Sequence, residues 1–506
     1  KNVLVDIAAL RLKLCDFGLS SRLDHNQKPS NELLPRGTLE YMSPEQTGRT
    51  NLDVDYRSDL YSLGVSLYEL LSGKRPFQSS DPMTLLHAQI AVMPMPLHEL
   101  DPGIPQPLSA LVQKLLSKYP DDRYQSSFGL LHDLKRCSQQ WQRSRRIESF
   151  ELASADIPER FCVAQRLYGR ENECASILSA FERASLGRAE LLLISGYSGI
   201  GKTAVVGELH RPIIARRGYF LRGKCDQYSR NQPYAALCQA FQQLLRQLTV
   251  EGEERRGYWK ARLQEALGEN AGAVVEILPN LIDLMGEPLP LPMLPAAEKE
   301  NRFHIAFAQF VDALASHSHP LLVFLDDLQW ADAPTLRLLE HLVRDEGERC
   351  VLVVGAYRDN EVDEGHPLQV AINAIRRSQG HVEQLRLDNL GLEHIRRLIA
   401  DTLHCDEATV ASLAELCLEK TQGNPFFLGQ LLRSLHEHGE IHYQRDEGAW
   451  DWDIENIRRR GITDNVVVLM LQKLRTLEPQ TQQLLAMWSF IRRSQSVCSG
   501  VKAVPR

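Results

Sequence analysis

Eight consecutive residues, Gly196-Tyr197-Ser198-Gly199-Ile200-Gly201-Lys202-Thr203, satisfy the pattern G-x-x-x-x-G-K-[ST]. Glycines at these places let backbone N–H groups turn inward around phosphate oxygens, an ammonium adds charge, and a hydroxyl can ligate a divalent cation. That chemistry is nucleoside triphosphate binding. Lys202 is expected to hold the β- and γ-phosphates of ATP, and Thr203 to ligate Mg2+. A P-loop also needs an acid on a neighbouring strand, and Asp326-Asp327 supply two. Asp326 suits the magnesium shell and Asp327 suits an attacking water. Taken alone, two acids at a strand end read equally well as a cap before a turn; the P-loop beside them favours the catalytic reading. Arg358 follows a third apolar run, where a cation either senses the γ-phosphate and stabilises transferred charge or makes a surface ion pair.

These residues need particular supports. Glu190–Ser195 reads as a fully buried strand ahead of the loop, and Ala204–His210 as the helix behind it. Pro320–Leu325 is a second buried strand, which places the two acids at the C-terminal edge of a parallel sheet, where α/β ligands bind. Cys350–Tyr357 and Val382–Leu387 read as further strands. Apolar-periodic helices then run Leu392–Leu403 and Ala408–Leu418, followed by Gly423-Asn424-Pro425-Phe426-Phe427 and another helix, which suggests a helical lid. Beyond it, Gly439–Tyr443 and Ala449–Asp453 flank a charged turn and read as a β-hairpin. Two helices are expected around Asn465–Leu474 and Pro479–Ile491.

The first 140 residues carry a second set of chemical groups. Two short apolar runs, at Asn2–Val5 and Leu12–Cys15, lead to Asp16-Phe17-Gly18; then come Ser43-Pro44-Glu45, Ser58-Asp59 at the start of a buried helix running to Leu71, and Arg123. Asp-Phe-Gly by itself is a common string, but the ordered set is specific. It resembles a serine/threonine protein kinase, with Asn2 matching the end of the catalytic loop, Asp16 the metal-binding aspartate and Ser43-Pro44-Glu45 the A-P-E triplet. Asp59 and Arg123 extend the match. The resemblance implies that Arg123 pairs with Glu45 and pins the end of the activation segment. Thr38 and Thr47 read as activation-segment phosphosites, as substrate contacts or as plain loop residues. The catalytic base would lie five residues before Asn2, so the chain reads as a piece cut at its start, with the kinase half incomplete.

Gly169-Arg170 with Glu173, the P-loop, Asp326-Asp327-Leu328-Gln329-Trp330-Ala331-Asp332, Tyr357-Arg358 and Gly423-Asn424-Pro425 together resemble the STAND class of AAA-related signalling ATPases. The resemblance covers roughly Phe161 to Phe490. It is nearest to large bacterial proteins that place a serine/threonine kinase before such an ATPase, often with GAF and histidine kinase domains further on. It implies that Gly169 and Arg170 lie near the adenine, that Pro425 approaches the nucleotide from the lid, and that the C-terminal region is winged-helix-like. Many AAA relatives carry glutamate where this chain has Asp327, which favours a slow switch.

The expected layout is a kinase C-terminal lobe, mainly helical, over 1–140, a linker over 141–160, an α/β P-loop ATPase core over 161–390, a helical lid over 391–437 and a truncated winged-helix-like region over 438–506. The 506 residues exceed what one core can serve. The formal net charge of −7 offers no basic field, so nucleic acid is not an expected partner. The longest apolar runs fall far short of the roughly 20 residues that span a bilayer, and no membrane partner is expected. Ten cysteines without C-x-x-C spacing read as reduced core residues of a cytoplasmic protein. Expected partners are ATP with Mg2+, protein substrates or downstream signalling domains, and a second copy in a homo-oligomer. The favoured function is a regulatory ATPase switch coupled to the kinase. The alternatives are an active serine/threonine kinase as main activity, or a non-catalytic scaffold stabilised by nucleotide.

Overall fold

The computed structural model describes residues 3–6, 11–15, 39–47, 54–79, 82–154, 156, 161–216, 218–227, 232–250, 253–292, 294–344, 348–444, 449–459, 481–484 and 487. Asn2, Asp16, Phe17, Gly18 and Thr38 lie outside the described residues, as do the helix expected over 465–474 and most of the one over 479–491.

In the first segment, β1 (Val3–Asp6) pairs antiparallel with β2 (Arg11–Leu14). The helix Arg57–Ser72 presents Tyr61, Val65 and Tyr68 to a core shared with Leu111, Val112 and Leu115 of the helix Gln106–Leu115. Gly64 permits this crossing, because a Cβ there would stand 2.7 Å from that of Leu115. A third helix, Ser127–Ser144, starts where the Ser126 hydroxyl accepts from the Gly129 N–H at 2.9 Å, which satisfies one of its free first-turn donors.

The sequence next builds a five-stranded parallel sheet from β3 (Glu190–Ser195), β4 (Tyr219–Lys224), β5 (Leu321–Asp326), β6 (Val351–Tyr357) and β7 (His381–Arg386), in the order β4-β5-β6-β3-β7. Both faces are covered, which is why the central strands read as unbroken apolar runs. Leu191, Leu193, Leu321, Val323 and Leu325 point to one core, with the helices Ala235–Val250 and Ala296–Leu314. Leu192, Ile194, Leu322 and Phe324 point to the other, with the helix Glu171–Ser185. Each such buried side chain contributes about 1.5–3 kcal/mol, so the sheet edge that carries polar groups rests on a stiff base. The strand β4 is hard to read from the sequence, because its second half, Leu-Arg-Gly-Lys, alternates buried and exposed positions and looks like a polar loop. The helix after the P-loop also begins earlier than expected, at Lys202, and runs to Gly207.

The chain divides into two compact units, one of residues 1–160 with 164–388, the other of 161–163 with 389–506. The second unit contains the helices Leu392–Leu403, Ala411–Thr421 and Pro425–Glu437, and the antiparallel pair β8 (Ile441–Gln444) and β9 (Ala449–Trp452). Phe161 stacks on His436, with centroids 4.7 Å apart, and meets Trp450 edge-on.

Candidate nucleotide site

The P-loop joins β3 to the helix Lys202–Gly207 by a path that only glycines take without strain. Gly196, Gly199 and Gly201 have φ of 148°, 79° and 98°. A Cβ on Gly196 would come within 2.9 Å of the Leu387 carbonyl oxygen, whereas one on Gly201 would meet nothing within 4 Å. Lys202, only 9% exposed, donates through Nζ to the carbonyls of Gly196 at 2.6 Å and Tyr197 at 2.9 Å. Burial holds its ammonium below the ordinary lysine pKa, against the opposing pull of Asp326. Arg170 is buried beside the loop; its guanidinium donates to the carbonyls of Ile200, at 3.5 Å, and Asp388, and pairs with Glu173 at 3.3 Å. Gly169 precedes it with φ of 62°.

The ends of the parallel strands bring the acids to the same edge. Lys224, the last residue of β4, is the register partner of Asp326, the last of β5, while Ser195 pairs with Tyr357. The Thr203 hydroxyl donates to Asp326 Oδ2 at 3.2 Å. A hydroxyl and a carboxylate side by side are hard oxygen donors of the kind Mg2+ accepts, with phosphates and water completing its shell. Asp327 turns the chain with φ of 54° and ψ of 43°. Its carboxylate lies 3.3 Å from Lys224 Nζ and 3.6 Å from Arg358 Nε. Arg358 also pairs with Glu361 at 2.7 Å and stands 5.1 Å above the Trp330 ring, so it is neither free nor confined to the surface. The places of Arg222, which stands 3.5 Å from Asp326 Oδ2, and of Lys224, Gln329 and Glu361 are not legible in the sequence. The spacing of Arg358 and Glu361 is the one available hint; Arg222 and Lys224 depend on the register of β4, and Gln329 on the left-handed turn at Asp327.

In the kinase-like segment, Arg123 makes two parallel 2.8 Å hydrogen bonds to the Glu45 carboxylate, and both side chains are 0% exposed. Ser58 Oγ donates to the same carboxylate at 2.6 Å. Burial pushes the Glu45 carboxyl up, but Arg123 and Ser58 outweigh it and hold the carboxyl below its ordinary value. Thr47 is buried, its hydroxyl donating to the Pro44 carbonyl at 2.5 Å. Asp59 is exposed on the first turn of its helix. In the second unit, Asn424 caps the helix that Pro425 begins, its Oδ1 accepting from Phe426 N–H at 3.1 Å, and Gly423, at φ of 80°, packs on the Leu390 backbone.

Two domain models match separate stretches of the chain. A protein kinase domain model matches residues 1–134, and an AAA ATPase domain model matches residues 166–354. Hybrid signal transduction histidine kinase G of Dictyostelium discoideum is 31% identical over 563 aligned residues, covering 93% of this chain and 16% of that protein. Histidine protein kinase 1 of Candida albicans is 28% identical over 341 residues, covering 60% of this chain and 14% of its own length. Serine/threonine-protein kinase PknB of Mycobacterium leprae is 35% identical over 135 residues, covering 27% of this chain and 21% of its own length. The chain therefore spans about a fifth or less of each of these relatives. It joins protein kinase domain sequence to an AAA ATPase domain with a parallel-sheet α/β fold. Among the described residues, no helix is long and apolar enough to cross a membrane.

Proposed function

We propose that this chain is the MgATP-binding part of a larger cytoplasmic signalling protein, in which a STAND-type P-loop switch is coupled to a serine/threonine protein kinase. The observation that carries the reading is the meeting of Lys202, Thr203 and Asp326 at one sheet edge, with Thr203 Oγ1 3.2 Å from Asp326 Oδ2. Thr203 and Asp326 would hold Mg2+, which when bound neutralises phosphate charge. The loop from Gly196 to Gly201 would wrap the phosphates, with Lys202 against the outer two. Asp327 would orient a water for attack, and Arg358 would take up charge that develops on the phosphoryl oxygens. Gly169 and Arg170 would flank the adenine, a placement supported by the bond from Arg170 to the Ile200 carbonyl. The helices of 391–437, with Pro425, act as lid. The short side chain of Asp327 favours a slow switch over rapid turnover.

The histidine kinase relatives support a longer signalling protein; in our reading the nucleotide state passes to protein substrates or downstream signalling domains, and a second copy completes a homo-oligomer. A second reading, with protein phosphorylation as the main output, is favoured by the kinase match and by the buried Glu45–Arg123 pair. The deciding experiment is MgATP binding and phosphate release by the whole chain, compared with Lys202→Ala and Asp327→Asn. Binding lost in the first, and turnover lost with binding kept in the second, is the expected outcome. A wild-type chain that binds no MgATP would overturn the proposal.

A further inference from the structure

Gln329 occupies an unusual position between the two groups assigned to the chemistry. It sits on the single turn Leu328–Trp330 directly after β5 and is 2% exposed. A buried carboxamide needs partners for both its ends. Its Nε2 donates to Asp327 Oδ1 at 3.2 Å, and its Oε1 accepts the backbone N–H of Arg358 at 3.3 Å. The orientation of the amide follows from these partners. Reversed, it would set a carbonyl oxygen against a carboxylate and an NH2 group against an N–H.

We propose that Gln329 is a positioning residue for ATP hydrolysis: it locks the Asp327 carboxylate to the backbone at the end of β6, fixing the water-orienting acid relative to Arg358. The inference rests on the ATPase reading above. Asp327 is the first residue past its strand and lies in left-handed backbone, so β-sheet hydrogen bonding does not hold it. Lys224 restrains its Oδ2 from β4, which leaves Oδ1 to Gln329 and, more distantly, Arg358. A glutamine serves here because it is neutral and offers one donor and one acceptor at the required span. An acid would repel Asp327, and a cation would leave the Arg358 N–H without an acceptor.

The charged and titratable groups facing Asp327 are Lys224 from β4, Arg358 beyond β6, Lys202 from the P-loop and Cys225 after β4, with Asp326 adjacent in the chain. These stay the same when only residue 329 is changed. That makes Gln329→Glu a sharp test. The introduced carboxylate faces Asp327 and cannot donate to it, whereas alanine leaves Asp327 Oδ1 without the amide and adds no charge.

The experiment measures kcat and KM for phosphate release, and MgATP affinity, with the whole chain as wild type, Gln329→Ala and Gln329→Glu. The expected result is kcat lowered roughly 10- to 100-fold in both variants, with affinity kept within about twofold. A kcat within about twofold of wild type, or affinity lost together with kcat, overturns the positioning role alone. Wild-type protein that binds MgATP and releases no phosphate overturns the hydrolysis reading, and the role of Gln329 falls with it.

Discussion

The Tyr119 hydroxyl donates a 2.6 Å hydrogen bond to the Glu208 carboxylate, and with it the kinase-like segment touches the element that follows the P-loop. Glu208 comes directly after the helix Lys202–Gly207. Tyr119 follows Lys118, whose carbonyl accepts from Arg123, the partner of Glu45. Asp121 adds a second tie, accepting from the Gln165 N–H at 3.2 Å while it pairs with Arg57 at 2.8 Å. The hydrogen bond therefore lies on a short route of covalent and hydrogen bonds between a candidate phosphate cradle and the Glu45–Arg123 pair.

Tyr119→Phe removes the hydroxyl that makes that bond and keeps the ring. A hydrogen bond to a partly exposed charged group contributes about 1 kcal/mol. The substitution is expected to raise amide hydrogen exchange in residues 117–125 and 202–210 and to leave β3 and β5 unchanged, since their protection comes from the sheet. Unchanged exchange in both segments would show that the contact does not couple them.

The pair Glu45–Arg123 makes a pH prediction. Arg123→Ala leaves a buried carboxylate uncompensated, a loss of about 3–5 kcal/mol, measurable as a lower urea midpoint for the kinase-like segment. The folded-state pKa of Glu45 is depressed relative to an ordinary value of 4.5. Its contribution is therefore complete above that value and disappears as pH falls through the lower folded pKa. Wild type should lose stability in that acid window, and Glu45→Gln should have a flatter profile there. Parallel profiles would dismiss the carboxylate as the source.

Lys202→Met separates fold from ligand. Lys202 is desolvated, so replacing its charge with an apolar chain of similar length is expected to move the thermal midpoint without nucleotide by only a few degrees. With MgATP at about 100 times its Kd, wild type gains about 2.7 kcal/mol, roughly 5–10 °C for a domain of this size, and the variant gains nothing. A shift kept in the variant would place the nucleotide elsewhere.

Much of this arrangement was legible in the sequence. The strands β3, β5 and β6 are buried on both faces and were readable as apolar runs, and the P-loop and the acids follow from their position at strand ends. The Glu45–Arg123 contact was implied by a resemblance, since nothing in the spacing of two residues 78 apart requires it. Lys224 and Gln329 were not legible. One depends on the register of an edge strand with exposed alternate residues, and the other on a left-handed turn at Asp327 that aspartate tolerates but does not signal. Polar networks of this kind are set by backbone geometry after folding, which periodicity does not encode.

Gly196 and Gly201 extend the contrast between fold and ligand to the loop itself. Both have positive φ, so alanine at either adds backbone strain of about 1–2 kcal/mol. At Gly196 the new methyl also meets the Leu387 carbonyl oxygen at 2.9 Å. That oxygen is backbone in a segment fixed by the Leu387 N–H bond to the Ser195 carbonyl at 2.9 Å, so it cannot yield without disturbing β3. At Gly201 the methyl meets nothing within 4 Å, because it projects into the open space of the loop. Gly196→Ala is therefore expected to lower the thermal midpoint further than Gly201→Ala, by the equivalent of at least about 1 kcal/mol. Gly201→Ala should instead carry that strain alone and lose at least about tenfold in MgATP affinity, because its methyl takes the place of a phosphate oxygen. Titration of MgATP against both folded variants, with thermal melts alongside, checks the pair. If Gly201→Ala bound MgATP as tightly as wild type, the open side of the loop would not be where phosphate binds.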